Sequence, residues 1–236
     1  MSPARWYQLI HAVMLVPGPV WQWPRLVSRC PAFALPWASA VTAVAWAVAL
    51  LGLGGWSTRS EPLEHPAEFL AAVDQGQHPQ AFLQHFVVQL DQYPTHVQSH
   101  PPGQVLLLWG LDRIGLGGSG PATVQTLLFA ALATAGVLTV TKWEGGETAF
   151  RRAAVFVGLT PAAWTVATST DPTFSGLAVL SVVAAFAAER ASTRAALPLA
   201  AAAGAALCCA DFPGATQSLD HPARRSLRHR SRPAGP

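Results

Sequence analysis

Seven side chains carry most of the chemistry available to this sequence: Glu61, Glu64, Glu68, His96, His100, Arg113 and Asp171. His96 and His100 are four residues apart, a spacing that lets two imidazoles bind a metal from one helix face. Pro94 and Pro101 crowd that pair, and spacing supplies no third ligand, so a divalent metal is left open. Taken singly, each glutamate reads first as a solvated side chain. Asp171 differs because it stands at the lip between two apolar stretches, where an ionisable group marks a functional site by default.

The elements that must position these groups are apolar. About half of the 236 residues are hydrophobic and 11% are charged, against roughly a quarter charged in soluble domains. The apolar residues fall in charge-free blocks, and roughly 20 helical residues cross a hydrocarbon core. The blocks do not alternate, which excludes a β-barrel. The expected fold is therefore all-α, a polytopic helical membrane protein. Cys30, Cys208 and Cys209 form no CxxC pair, so neither a disulfide framework nor a thiol metal site is expected.

Residues 1–36 read as a cytoplasmic N-terminal segment and Trp37 to Trp56 as the first span, with a tryptophan at each end. Arg5, Arg25 and Arg29 precede it, and no acidic residue occurs before Glu61. The positive-inside rule therefore places the N-terminus in the cytoplasm. Leu9 to Val16 reads as an interfacial segment or a signal-peptide core, and the absence of a clear cleavage site favours the former. Residues 57–120 form a polar loop that holds six of the twelve acidic residues and five of the eight histidines.

Further spans are expected at Pro121 to Thr141, Ala153 to Ser169 and Thr173 to Ala188, with Ala195 to Ala210 as a fifth candidate; residues 121–210 thus form a bundle of three or four spans. This order puts Lys142, Arg151, Arg152, Arg190 and Arg194 on the cytoplasmic side and Asp171 outside with the polar loop. It requires Pro101 to Leu116 to lie at the interface or re-enter, because a crossing there would reverse every later basic loop. Within the loop, Pro66 suits the first position of a short helix carrying Glu68, Phe69, Leu70 and Val73. Pro79 opens a second helix whose apolar stripe is Phe82, Leu83, Phe86, Val87 and Leu90. That stripe lies on the outer leaflet or packs against the bundle.

Three elements together resemble the GT-C superfamily, the multi-span glycosyltransferases that use polyprenyl-phosphate sugars. They are a long outer loop after the first span with an early acidic residue, the His100-Pro101-Pro102-Gly103 motif opening a juxtamembrane helix, and the turn Thr168-Ser169-Thr170-Asp171 ending a later span. The stretch Tyr93 to Gly118 is similar to actinobacterial integral membrane proteins of this kind, and the resemblance covers about residues 37 to 190. It implies inverting transfer of a sugar from a polyprenyl-phosphate donor to a hydroxyl of a glycan, lipid or protein acceptor, on the extracytoplasmic face of the cell membrane. It also implies that an outer-loop carboxylate acts as general base, with Glu68 first and Glu61 and Glu64 as rivals. Asp171 would orient the acceptor or hold a divalent metal. His96 and His100 would order the loop or touch the phosphate, and Arg113 would face the phosphate or pair with Asp112.

Family members have more spans than the four or five here. Residues 211–236 are rich in Arg, Pro, Ser and His, with five of the fifteen basic residues in the last thirteen positions. The reading expects this tail to be disordered or out of frame, and the chain to be the N-terminal part of a longer enzyme. The other reading is a cytoplasmic basic tail, with Ala195 to Ala210 not spanning. A non-catalytic membrane scaffold or inactive remnant stands as the alternative function. A transporter is disfavoured because the spans carry almost no mid-bilayer charge, and nucleic-acid binding rests on the final arginines alone.

Overall fold

Alanine and leucine dominate the longest apolar runs, and they lose little conformational freedom on entering a helix. The computed structural model describes residues 17–53, 61–160, 169–191 and 193–210, and they are helical throughout with short connecting turns. The helices are α1 (Pro17–Arg29), α2 (Leu35–Leu53), α3 (Pro79–His85), α4 (Thr95–Gln98), α5 (Gly103–Arg113), α6 (Ser119–Val157), α7 (Asp171–Arg190) and α8 (Thr193–Ala210). Tight 3₁₀ turns lie at Glu61–Glu64, Phe69–Gln77 and Leu90–Gln92. Among the described residues, α6 and α7 are long and apolar enough to cross a membrane. Hydroxyls on these apolar stretches are satisfied locally: Thr126 and Thr139 each donate to the carbonyl four residues back, which removes an unpaired donor.

Gly146 breaks α6. Its φ of 70° and ψ of −174° suit a residue without Cβ, and they divide α6 into helical pieces at 119–145 and 147–157. The first piece and α7 run in the same direction. At one end Gln125 meets Thr173; at the other Arg190 reaches Glu144. Nineteen residues separate the two levels on α6 and seventeen on α7, roughly 28 and 26 Å at 1.5 Å per residue. Their close approach uses glycine. A Cβ on Gly176 would lie 2.8 Å from the Phe129 carbonyl oxygen, and one on Gly136 would lie 2.5 Å from Val179. α2 runs the opposite way along α6: Leu35 shares a core with Leu138, while Ala43 lines a small cavity with Ala130 and Thr134.

The two ends of the helix assembly are chemically distinct. One end gathers α1, the Gly146 turn and the last turn of α7, with Lys142, Arg151 and Arg190. Here Trp23 donates its indole N–H to the Ala154 carbonyl at 3.0 Å, and the indole packs on Gly158. Arg151 donates to the carbonyls of Val27, in the last turn of α1, and of Cys30 just after it, at 2.5 and 3.1 Å. The other end carries residues 61–118, folded around Leu63, Phe69, Phe82, Phe86, Tyr93, Val97, Val105 and Leu108. Phe174 from the first turn of α7 joins that core, so it ties the start of α7 to the loop. Tyr93 stacks on Phe86 at 5.2 Å, and burial pushes its phenol above the ordinary value.

Several expectations change in detail. The segment after Pro66 is not an α-helix beginning there: Glu68 directly precedes a 3₁₀ run from Phe69 to Gln77, without a side-chain capping hydrogen bond. The helix opened by Pro79 ends at His85, and turns carry the chain to Leu90. The expected stripe therefore splits. Phe82 and Phe86 enter the loop core, whereas Leu83, Val87 and Val88 are exposed. The Pro101 region contains an α-helix of 11 residues, Gly103–Arg113, about 16 Å at 1.5 Å per residue and too short to cross. Gly115 (φ 79°) ends it. Parts of the expected first and third spans, at 54–56 and 161–168, lie outside the described residues, as do residues 1–16, with the Leu9 to Val16 segment, and the 211–236 tail.

Candidate functional site

Two carboxylate–histidine pairs assemble where the loop meets α7. The turn at residues 65–68 brings Glu68 alongside α4, because the His96 backbone N–H donates to the Ala67 carbonyl at 3.1 Å. His96 Nδ1 then lies 2.8 Å from Glu68 Oε1. Glu68 is buried, and its second carboxylate oxygen, Oε2, has no hydrogen-bond partner. His96 is half-exposed.

The second pair is set by the His100-Pro101-Pro102-Gly103 motif. Pro102 occupies the N-cap of α5, where its missing N–H costs nothing. His100 therefore stands just before the helix. Its Nδ1 lies 2.9 Å from the His96 carbonyl and 3.0 Å from Ser99 Oγ. Its ring stacks on Phe174, with centroids 4.6 Å apart, and meets the edge of Phe69 at 5.5 Å. Its Nε2 lies 3.9 Å from Asp171 Oδ1. Asp171 opens α7, with its backbone N–H donating to Ser169 Oγ at 3.0 Å, and a carboxylate at a helix N-terminus is favoured by the dipole. Its side chain is 68% exposed, against 9% for Glu68.

Beneath these pairs runs a buried polar chain that sequence reasoning missed. Gln104 Nε2 donates to Gln125 Oε1 at 3.2 Å, and Gln125 Nε2 donates to Thr173 Oγ1 at 2.7 Å. It joins α5, α6 and α7 directly under His100 and Asp171. The signal was present: Gln104 is the one amide in an otherwise apolar first turn, and Gln125 the one amide in its expected span. Gln104 Oε1 remains without a partner.

The remaining expected residues stand apart. Glu64 accepts a hydrogen bond from Ser119 Oγ and lines a cleft of about 420 Å³ with Leu70, Asp74, Leu108 and Asp112. Arg113 lies over the Trp109 ring, 6.0 Å from its centroid, at the far end of α5, roughly 15 Å along the helix from Gly103. It does not converge with the two pairs, and Asp112 turns instead into the cleft. The Glu61 side chain and Thr168 lie outside the described residues. Among the described residues, no group of three or more His, Cys, Asp or Glu side chains is arranged to hold a metal ion.

The arrangement can therefore position a hydroxyl at Asp171, with an imidazole beside it, and hold the surrounding loop through Glu68 and His96. No protein-family model, curated protein or solved structure matches the chain.

Proposed function

We propose that this chain is a multi-span membrane protein whose 57–120 loop and α7 N-terminus form a site for transfer of a sugar from a polyprenyl-phosphate donor to an acceptor hydroxyl. The observation that carries the reading is the convergence of Glu68, His96, His100 and Asp171 from three separate segments at one end of the helices. The spacing of roughly 28 Å between this end and the basic end supports a bilayer-spanning placement. So does the gathering of Lys142, Arg151 and Arg190 at the opposite end, as the positive-inside rule requires for a cytoplasmic face.

The exposures favour different roles for the two carboxylates from those that the family resemblance implies. A general base must lie within hydrogen-bond reach of the proton it takes. Asp171 is open to an incoming hydroxyl; Glu68 Oε2 is enclosed. Asp171 then takes the acceptor proton as the new glycosidic bond forms and the sugar–phosphate bond breaks, with the electron pair leaving on the lipid phosphate. His100 orients Asp171, and Glu68 with His96 positions the loop.

The test is transfer from a radiolabelled polyprenyl-phosphate sugar in membranes carrying the full chain. Asp171→Asn is expected to lower transfer by about 10²–10⁴-fold, the usual contribution of a general base, without loss of membrane-inserted protein. Unchanged transfer in Asp171→Asn would assign the proton to another group. Absence of transfer by the wild type across mannose, arabinose and glucose donors would favour a scaffold instead.

A further inference from the structure

The surface of α1 that faces away from the protein is basic, aromatic and free of acid. Trp23 and Val27 are buried against the 147–157 piece, and the Trp23–Ala154 and Arg151–Val27 hydrogen bonds fix the rotation of the helix about its axis. The opposite face presents Trp21, Gln22, Arg25, Leu26 and Arg29, all exposed, with Trp21 at 70%. Among the described residues, Arg25 donates to the Trp21 carbonyl of its own helix.

Among the described residues, the carboxylates at this end are already committed. Glu147 pairs with Arg151, and Glu144 and Glu189 pair with Arg190. Among the described residues, Arg25, Arg29 and the exposed Arg152 on the neighbouring helix have no carboxylate partner. Arg25 and Arg29, on the same helix face as the exposed Trp21 and Leu26, are left for an anion outside the protein. On α2, Trp37 and Val41 are likewise exposed apolar side chains.

We infer that α1 is an interfacial anchor whose Trp21, Arg25 and Arg29 face binds the anionic headgroups of the leaflet at this end. Tryptophan and leucine supply the apolar contact and arginine the phosphate contact, the combination used by amphipathic helices in the plane of a membrane. This rests on the membrane-spanning reading above, not on the transfer chemistry.

The full chain, with its cysteines replaced by serine, is placed in nanodiscs of phosphatidylcholine alone or with phosphatidylglycerol. A nitroxide at Gln22→Cys reports the outward face of α1, and one at Val41→Cys reports the flank of α2. Collisions with oxygen and with a soluble nickel chelate give the depth of each. The expected result is that the Gln22 label loses access to nickel only when phosphatidylglycerol is present. Arg25→Gln with Arg29→Gln should abolish that shift, while the Val41 label stays in lipid throughout. Equal access of the Gln22 label in both lipids, whether deep or shallow, overturns the anionic anchor. Nickel access at Val41 overturns the spanning reading itself, and the anchor with it.

Discussion

Glu68 is a buried carboxylate with one oxygen held by His96 and the other unpartnered. Removing the histidine leaves both oxygens without a side-chain donor, and a buried unsatisfied group costs about 1–3 kcal/mol. The half-exposure of His96 places the loss toward the lower end of that range, because water enters the vacated space. His96→Ala is therefore expected to lower the thermal unfolding midpoint in detergent micelles measurably. Glu68→Gln should lower it less, because the amide keeps a partner for His96 and removes the charge. Equal losses in the two variants would mean that the imidazole matters for packing rather than for its hydrogen bond. The same residue scale explains which site groups were legible. Glu68, His96, His100 and Asp171 were recognised by type and by their places in short motifs. Their pairings, and the separation of Glu64 and Arg113 from them, depend on chain reversals that residue spacing does not encode.

At the scale of elements, the crossing of α6 and α7 rests on backbone approach at Gly176 and Gly136. Packing between apolar helices in lipid draws on such close contacts, since lipid tails offer no hydrophobic driving force between them. Gly176→Leu forces its side chain into the Phe129 backbone and should cost about 1–3 kcal/mol. Gly120→Ala, where a Cβ meets nothing within 4 Å, serves as the matched control and should be neutral or slightly stabilising. The measurement is urea or thermal unfolding in a constant detergent, and similar losses at both glycines would refute the crossing. The short helix after Pro79 shows where periodicity misleads. Five apolar residues fit one helical stripe, but the chain turns after His85, so Phe82 and Phe86 face inward and Leu83 and Val87 outward.

At the scale of the whole molecule, the acidic loop and the basic turns occupy opposite ends, and each end is closed by contacts distant in sequence. Arg151 holds the basic end by donating to carbonyls that follow the last helical hydrogen bonds of α1, groups a helix C-terminus leaves unpaired. Arg151→Ala should loosen α1 without disturbing the loop end. Trypsin cleavage after Arg25 and Arg29 is then expected to become several-fold faster in nanodiscs, while hydrogen exchange at residues 95–110 stays unchanged. Unaltered cleavage would mean that Trp23 alone holds the helix.

The sequence by itself determined the all-helical class, the positions of the apolar runs at 121–141 and 173–188, the short helix after His100-Pro101-Pro102 and the polar loop between apolar stretches. Those features follow from composition, proline and glycine placement and local periodicity, which act over a few residues. Only the tertiary structure decided that Glu68 meets His96 and that His100 meets Asp171. It likewise revealed the Gln104–Gln125–Thr173 chain beneath them. These contacts depend on Phe69 and Phe174 sharing one core and on two glycines letting parallel helices approach. Such packing is set by the fit of surfaces far apart in the chain, which no local pattern records.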